Sequence, residues 1–282
     1  MRADLHMHST ASDGIFPPRE LMDRAADAGL TLVALTDHDS VKGLADAREA
    51  AQRRGVRLIP GVELSCGGEK EIHVLGYGFD PTDGALLRFC EDHHREREER
   101  ARKMVDQLAA HGMTVSLARV RELARGVIAR PHVARALIEA GYASSVSDAF
   151  DRFLLPGKCG YVPKANVRVA EAVALIHNAG GVAVLAHPMK LKMGELALSS
   201  VVREWAEQGL DGLEVYHPSA QANHAARLAA LARELGLLVT AGSDYHGETV
   251  SPDRHLASEC DRWKTMEEDV EALLRRINAA KR

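Results

Sequence analysis

Two histidines one residue apart, His6 and His8, stand in "DLHMHST", with Asp13 shortly after them. In an extended strand, side chains at i and i+2 share a face. Imidazole and carboxylate together suit Zn, Mn or Fe, and no thiolate is needed. The same residue types recur along apolar runs further on: His38 in "TDHD", Glu63 in "GVELS", His73 in "EIHVLGY", His187 in "LAHP", and Asp244 with His246 in "GSDYHG". Each motif alone has a plain structural reading. His6 and His8 could be a surface pair, Asp37 or Asp39 could cap a helix, and His187 could pack before a turn. Their coincidence at successive strand ends favours one shared site. The set exceeds what a single four-coordinate ion can use. Two or three ions are therefore expected, with a carboxylate such as Glu63 bridging a pair. Clustered divalent ions are suited to holding and attacking a phosphoryl group.

Such a site needs strands that deliver their ends to one rim. Short apolar runs alternate with amphipathic helical stretches, which predicts parallel strands joined by crossover helices. The candidate strands are "ADLHMH", "TLVALTDHD", "VRLIPGVELS", "EIHVLGYGF", "GVAVLAHP", "DGLEVYHP" and "LLVTAGSDYHG". Helices are expected in "PPRELMDRAADAGL", opened by Pro17 and Pro18 and closed by Gly29, and over 44–55, 169–179, 197–209 and 222–236. The ligand-type residues would then crowd the C-terminal rim of a barrel. The alternation stops between 82 and 163, where "LLRFCEDHHREREERARKMVDQLAAHG" reads as one long charged helix followed by shorter ones. The chain thus divides into a first barrel part (1–81), an all-helical insertion (82–163) and a second barrel part (164–282).

Composition narrows the function. The formal net charge is -4 over 282 residues, so there is no global basic field of the kind that binds duplex DNA. Cys66, Cys90, Cys159 and Cys260 lie far apart with no CxxC pair, which fits a reducing compartment better than a disulfide framework. The start "MRADLHMHS" has no signal-like segment, and no apolar run approaches the roughly 20 residues needed to cross a bilayer. A cytoplasmic protein that engages no membrane is the expectation; the sequence leaves the oligomeric state open.

The motifs "DLHMHS", "TDHD", "GVELS", "HVLGY", "AHP" and "GSDYHG", taken together and in order, resemble the PHP (polymerase and histidinol phosphatase) superfamily of metal-dependent phosphoesterases. The helical segment with "RARKM" and "ARPHVARAL" is similar to the branch that removes the 3′-phosphate of nucleoside 3′,5′-bisphosphates and trims short RNAs from the 5′ end. The resemblance implies an α/β fold: a distorted (β/α)7 barrel of the PHP type with an all-helical insertion. It implies up to three divalent ions, most often Mn2+, with Zn2+ or Fe2+ as alternatives. His6, His8, Glu63 and Asp244 would hold the first. Asp13, His38 and His246 would hold a second and also face the substrate. His73 and His187 would hold a third, bridged by Glu63. Many relatives carry Phe where Tyr245 stands, which leaves the ligands untouched.

A bisphosphate needs a second anion site beyond the metals, and Arg holds phosphate oxygens in a bidentate fork. Arg100, Arg102 and Lys103 in the charged helix, and Arg130 with His132 at a Pro-opened helix start, are the candidates. A solvated i,i+4 charge face explains most of "EDHHREREERARK", and His93, His94 and His111 are expected on the surface. Asp4 and Asp37 are candidates to orient ligand imidazoles, and His217 could orient a ligand or touch substrate. No side chain is singled out as nucleophile, because hydroxide generated on the metals would attack the 3′-phosphorus. The expected partner is a small nucleoside bisphosphate such as pAp, with short 5′-phosphorylated RNA ends as a further substrate. The alternatives are a histidinol-phosphate phosphatase, a non-catalytic PHP module of the polymerase-associated kind, and a metal-dependent amidohydrolase.

Overall fold

The computed structural model describes residues 1–68, 71–124, 126–250 and 252–281; Glu69, Lys70, Arg125, Ser251 and Arg282 lie outside the described residues. Contacts divide the chain into one unit of Met1–Arg88 with Asn166–Arg282 and another of Phe89–Ala165.

The first unit is a seven-stranded barrel with strands in sequence order. Its strands are β1 (Ala3–Asp4), β2 (Leu32–Leu35), β3 (Arg57–Cys66), β4 (Ile72–Tyr77), β5 (Val182–Leu185), β6 (Gly212–Tyr216) and β7 (Leu238–Ala241). β2 ("LVAL") and β5 ("VAVL") are buried at every position, as expected for strands covered on both faces. The covering helices include α1 (Pro18–Asp27) and α2 (Leu44–Arg54). Pro17 and Pro18 preset the backbone at the start of α1, which turns Leu21, Met22 and Ala25 inward. Extended chain beyond β1 closes the barrel onto β7. Leu5 N–H donates to the Ala241 carbonyl at 3.1 Å, and His8 N–H to the Tyr245 carbonyl at 2.9 Å.

One strand departs from the all-parallel expectation. β4 runs antiparallel to both β3 and β5, while β1–β2–β3 and β5–β6–β7 are parallel. The chain between Cys66 and Ile72 is too short for a crossover helix, so β3 must return through a hairpin. The reversal has a chemical effect. His73 pairs with Ser65 near the end of β3, so a residue at the beginning of its strand reaches the rim where β3 ends.

The second unit is all-helical. It holds most of α3 (Gly84–Ala110), then α4 (Leu117–Ala124), α5 (Arg130–Glu139), α6 (Val146–Ala149) and a π-helical turn Phe150–Leu154. It has its own core, in which Met104, Leu108, Val120, Val133, Leu137 and Leu154 pack together, the mark of a separate folding unit. The chain then returns through α7 (Val169–Asn178), α8 (Glu195–Glu207), α9 (Ala222–Glu234) and α10 (Met266–Ala280), with a 3₁₀ turn Pro188–Leu191 after β5. Among the described residues no helix is long and apolar enough to cross a membrane.

The closure of the barrel depends on a close approach at Gly242. A Cβ placed there would lie 2.2 Å from the His6 Cβ and 2.7 Å from the His6 backbone nitrogen. Backbone atoms cannot swing aside as a flexible side chain can. Gly242→Ala should therefore destabilise the fold by about 1–3 kcal/mol, read as a lowered midpoint in denaturant. It should also reduce metal uptake, because His6 moves. A variant with wild-type stability and metal content would refute this account.

Candidate metal centre

The site is built from backbone geometry outward. Leu5 and Met7 are fully buried, and the alternate residues His6 and His8 are buried on the facing side, their rings 5.1 Å apart. Three further buried aspartates fix the loops. Asp4 accepts from the N–H groups of Ser243 at 2.9 Å, Ala257 at 3.1 Å and His6 at 3.3 Å. Asp37 accepts from Ser9 N–H at 2.7 Å and from the hydroxyls of Ser9 and Ser12 at 2.8 and 2.6 Å. Asp39 accepts from Ser65 N–H at 2.8 Å. The expectation that Asp4 and Asp37 orient imidazoles is therefore corrected: their hydrogen bonds go to backbone and serine groups. Asp39, His187 and Asp244 have φ of 46°, 29° and 52°, a left-handed region that costs non-glycine residues of order 1–3 kcal/mol each. Local hydrogen bonds retain it, including Asp244 N–H to the His6 carbonyl at 2.9 Å.

Glu63 stands at the middle. Its Oε1 lies 2.8 Å from His73 Nδ1 and 2.8 Å from His187 Nε2. Its Oε2 lies 3.2 Å from His6 Nε2, 3.3 Å from His8 Nε2 and 3.2 Å from His38 Nδ1. Asp244 Oδ1 is 3.3 Å from His8 Nε2 and 3.5 Å from His6 Nε2. Asp13 Oδ1 is 3.2 Å from His246 Nε2, and Asp13 Oδ2 is 3.9 Å from His38 Nε2. Three overlapping groups result, each with its donor atoms within 4.8 Å of one another: His6, His8, Glu63 and Asp244; His8, Asp13, His38 and His246; and His38, Glu63 and His73. His187 adjoins the third group, with its Nε2 3.3 Å from His73 Nδ1.

These residues fit divalent ions on their own chemistry. His6 Nε2, both ring nitrogens of His8, His38 Nδ1, Glu63 Oε2 and His187 Nδ1 are buried without a hydrogen-bond partner. Each such atom costs about 1–3 kcal/mol if left unsatisfied, and a cation among the ring nitrogens and carboxylate oxygens would satisfy several at once. Sulfur is absent from the three groups, which points to Mn, Fe or Zn rather than a thiolate-seeking metal.

Electrostatics agree. Burial pushes the Glu63 carboxyl up, but His38, His73 and His6 outweigh it and hold it well below the usual carboxylate range. Asp244, against Lys190 and His6, and Asp13, against His246 and His38, are likewise held far down. Burial would lower His8, yet Asp244 and Glu63 lift it to about 9. Burial dominates at His38 and His187, which fall to about 3.

A second layer holds the first. Glu214 Oε1 is 2.8 Å from His6 Nδ1, and its Oε2 accepts from His187 N–H at 2.7 Å. One carboxylate thus fixes a ring and a strained backbone. Asp244 Oδ2 receives Lys190 Nζ at 2.5 Å, Arg254 Nη1 at 2.6 Å and His217 Nε2 at 3.2 Å. Its other oxygen is left toward the histidines. Sequence reading missed Glu214, Lys190 and Arg254; only Glu214 carried a signal, as a lone acid inside the apolar run "GLEVY".

In the helical unit, Arg102 pairs with Glu99 at 2.7 Å and Asp106 at 2.9 Å, and Lys103 with Glu99 at 3.6 Å, all on an exposed face of α3. That is a solvated charge ladder. Arg100 Nε donates to the Val162 carbonyl at 2.8 Å. Arg130 begins α5 with its guanidinium 5.5 Å from the Phe150 ring centroid. The buried His132 accepts the Ala129 N–H on its Nδ1 at 3.0 Å, capping the helix. His93, expected on the surface, stacks on Phe89 at 3.9 Å with its Nε2 buried.

Fold and site together define a barrel protein whose His, Asp and Glu cluster is suited to divalent metal ions. Comparison with known proteins carries this further. The sequence profile of the PHP domain matches residues 4–152. The chain is 39% identical to the 5′-3′ exoribonuclease Rnm of Escherichia coli, over 86% of this chain and 84% of that protein. It is 37% identical to a 3′,5′-nucleoside bisphosphate phosphatase of Chromobacterium violaceum, over 86% of each. A solved structure from Bifidobacterium adolescentis, described as a metal-dependent phosphoesterase, superposes with a TM-score of 0.81 at 31% identity, covering 97% of this chain and 96% of that one. The chain belongs to the PHP domain family, among its metal-dependent phosphoesterases.

The raised His8 value has a testable sign. Below about 9, metal-free His8 holds a proton that it must release to ligate. Metal affinity should therefore rise with pH through the neutral range, by about tenfold per unit for each proton displaced, and level off only once both His8 and the likewise raised His6 have lost their protons. Calorimetric titration with Mn2+ in buffers of different ionisation enthalpy reads the protons released. A pH-independent affinity with no proton release would refute it.

Proposed function

We propose that this protein hydrolyses the 3′-phosphate of nucleoside 3′,5′-bisphosphates, converting pAp to AMP and phosphate, and trims short 5′-phosphorylated RNA by the same chemistry. The observation that carries the reading is the chain of three overlapping donor groups, two of which share Glu63. It is a site for adjacent cations, which together can clamp the attacking and leaving oxygens of a phosphoryl displacement. The names of the Chromobacterium and Escherichia relatives support the substrate class.

In this reading His6, His8, Glu63 and Asp244 hold one ion, and Asp13, His38 and His246 a second. His73 and His187 hold a third, with Glu63 shared. Mn2+ is the preferred occupant. Bound divalent ions acidify water and offset charge on phosphoryl oxygens. The chain's own groups keep that arrangement fixed. Glu214 holds His6 and the His187 backbone, while Lys190 and Arg254 hold the outer oxygen of Asp244. Water adds to the 3′-phosphorus, the bond from phosphorus to the 3′-oxygen breaks, and the proton ends on that oxygen. With pAp the products are AMP and phosphate. With a dinucleotide the same bond breaks, and the phosphate stays on the 5′-oxygen of the departing nucleoside. Among the basic residues of the helical unit Arg130 is the first choice for contact with the substrate's 5′-phosphate, since Arg102 and Lys103 are paired with Glu99 and Asp106 along α3.

Phosphate release from pAp by metal-stripped protein reloaded with Mn2+ tests the reading, with AMP identified by chromatography. No release from metal-loaded protein would refute it. Arg130→Ala should lower kcat/KM on pAp by about a hundredfold through lost orientation, and should spare 4-nitrophenyl phosphate. Equal losses on both substrates would remove Arg130 from that role.

A further inference from the structure

The barrel unit carries a cavity of about 340 Å³, lined by the 3₁₀ turn after β5 and by α8 and α9. That volume falls within the range of about 300–1,000 Å³ typical of small-molecule sites. Its walls are polar and apolar in near-equal measure, with Met189, Met193, Leu198 and Leu228 on the apolar side. Two features connect it to the chemistry. The turn Pro188–Leu191 follows the cluster residue His187, and Lys190 on that turn reaches Asp244 at 2.5 Å. Its neighbour Met189 lines the cavity. Met189 is two residues from His187, so their Cα atoms are at most about 7 Å apart.

The lining also describes its guest. Arg227 is matched by Glu195, Nη1 to Oε2 at 2.5 Å, so the cationic group there is already neutralised. A phosphate would find little to hold it. Two thioethers and three leucines offer the soft, polarisable surface that flat rings pack against. His224, also in the lining, has its Nδ1 buried without a partner. A guest with apolar faces and a hydrogen-bonding edge is called for.

We infer that this cavity receives the nucleoside on the 3′ side of the scissile phosphate, the one joined to it through its 5′-oxygen. The inference rests on the reading of the metal cluster as a site for 3′-linked phosphate. It makes the cavity a subsite for RNA ends that a bisphosphate such as pAp leaves empty. Selection between a free 3′-phosphate and an RNA end then resides in α8, α9 and the turn after β5, apart from the metal ligands.

The test compares pAp with the dinucleotide pApA on the full-length, Mn2+-loaded protein. Ser199, in the cavity wall, is replaced by a bulky residue. Ser199→Phe should lower kcat/KM on pApA about tenfold more than on pAp. Met193→Ala, which opens the wall instead of filling it, should raise KM for pApA more than for pAp. Calorimetric binding of pApA to metal-free protein, weakened by Ser199→Phe, is a readout independent of turnover. Parallel losses on both substrates, or no loss on pApA, would overturn the inference. Cleavage of pAp but not pApA by the unaltered protein would overturn it too, while leaving the bisphosphatase reading intact. Cleavage of neither would overturn the functional reading itself.

Discussion

Glu63 is fully buried, with five imidazole nitrogens within 3.3 Å of its two oxygens. A carboxylate in that position cannot stay charged unless positive charge is brought to it, and the imidazoles cannot all be protonated without repelling one another. The metal-free balance shows the compromise. His8 is lifted to about 9 while His38 and His187 fall to about 3. Divalent ions resolve the conflict by supplying charge without protons. The barrel positions this one carboxylate, and the histidines of several strands and loops are arranged around it.

Holding so many polar groups in an interior requires a rigid frame, and the frame is itself made of buried carboxylates. Asp4, Asp37, Asp39 and Glu214 all accept backbone N–H groups. They pin the segments that carry the ligands, including two of the three left-handed residues at the rim, Asp39 and His187. The site thus has two kinds of acid: those facing the cluster and those facing the backbone that supports it. Glu214 combines both settings, one oxygen on the His6 ring and the other accepting the His187 N–H.

Much of this was legible in the sequence. Apolar runs bearing His, Asp or Glu placed His6, His8, His38, Glu63, His187 and Asp244 at one rim, because strand ends in a barrel share a face. The direction of β4 was hidden by treating every run as a crossover product, although the short span from Cys66 to Ile72 excludes a helix. Glu214 was visible only as an acid in an apolar strand. Lys190 and Arg254 lie in irregular segments, where no periodicity fixes which way a side chain points. Asp4 and Asp37 were recognised as supports, but their choice of backbone over imidazole depends on loop geometry that spacing does not encode.

The closure of the barrel has a consequence for how the molecule is made. His6 meets Glu214 across 208 positions of sequence, and Asp4 meets Ser243 across 239. His6 and Asp4 therefore wait for more than 200 further residues before these partners exist. Contacts of such sequence separation form late and slowly. The helical unit, whose core comes from one continuous segment, can fold during that wait. The metal-binding cage thus closes only after Asp244 and His246 have been made, long after His6 and His8.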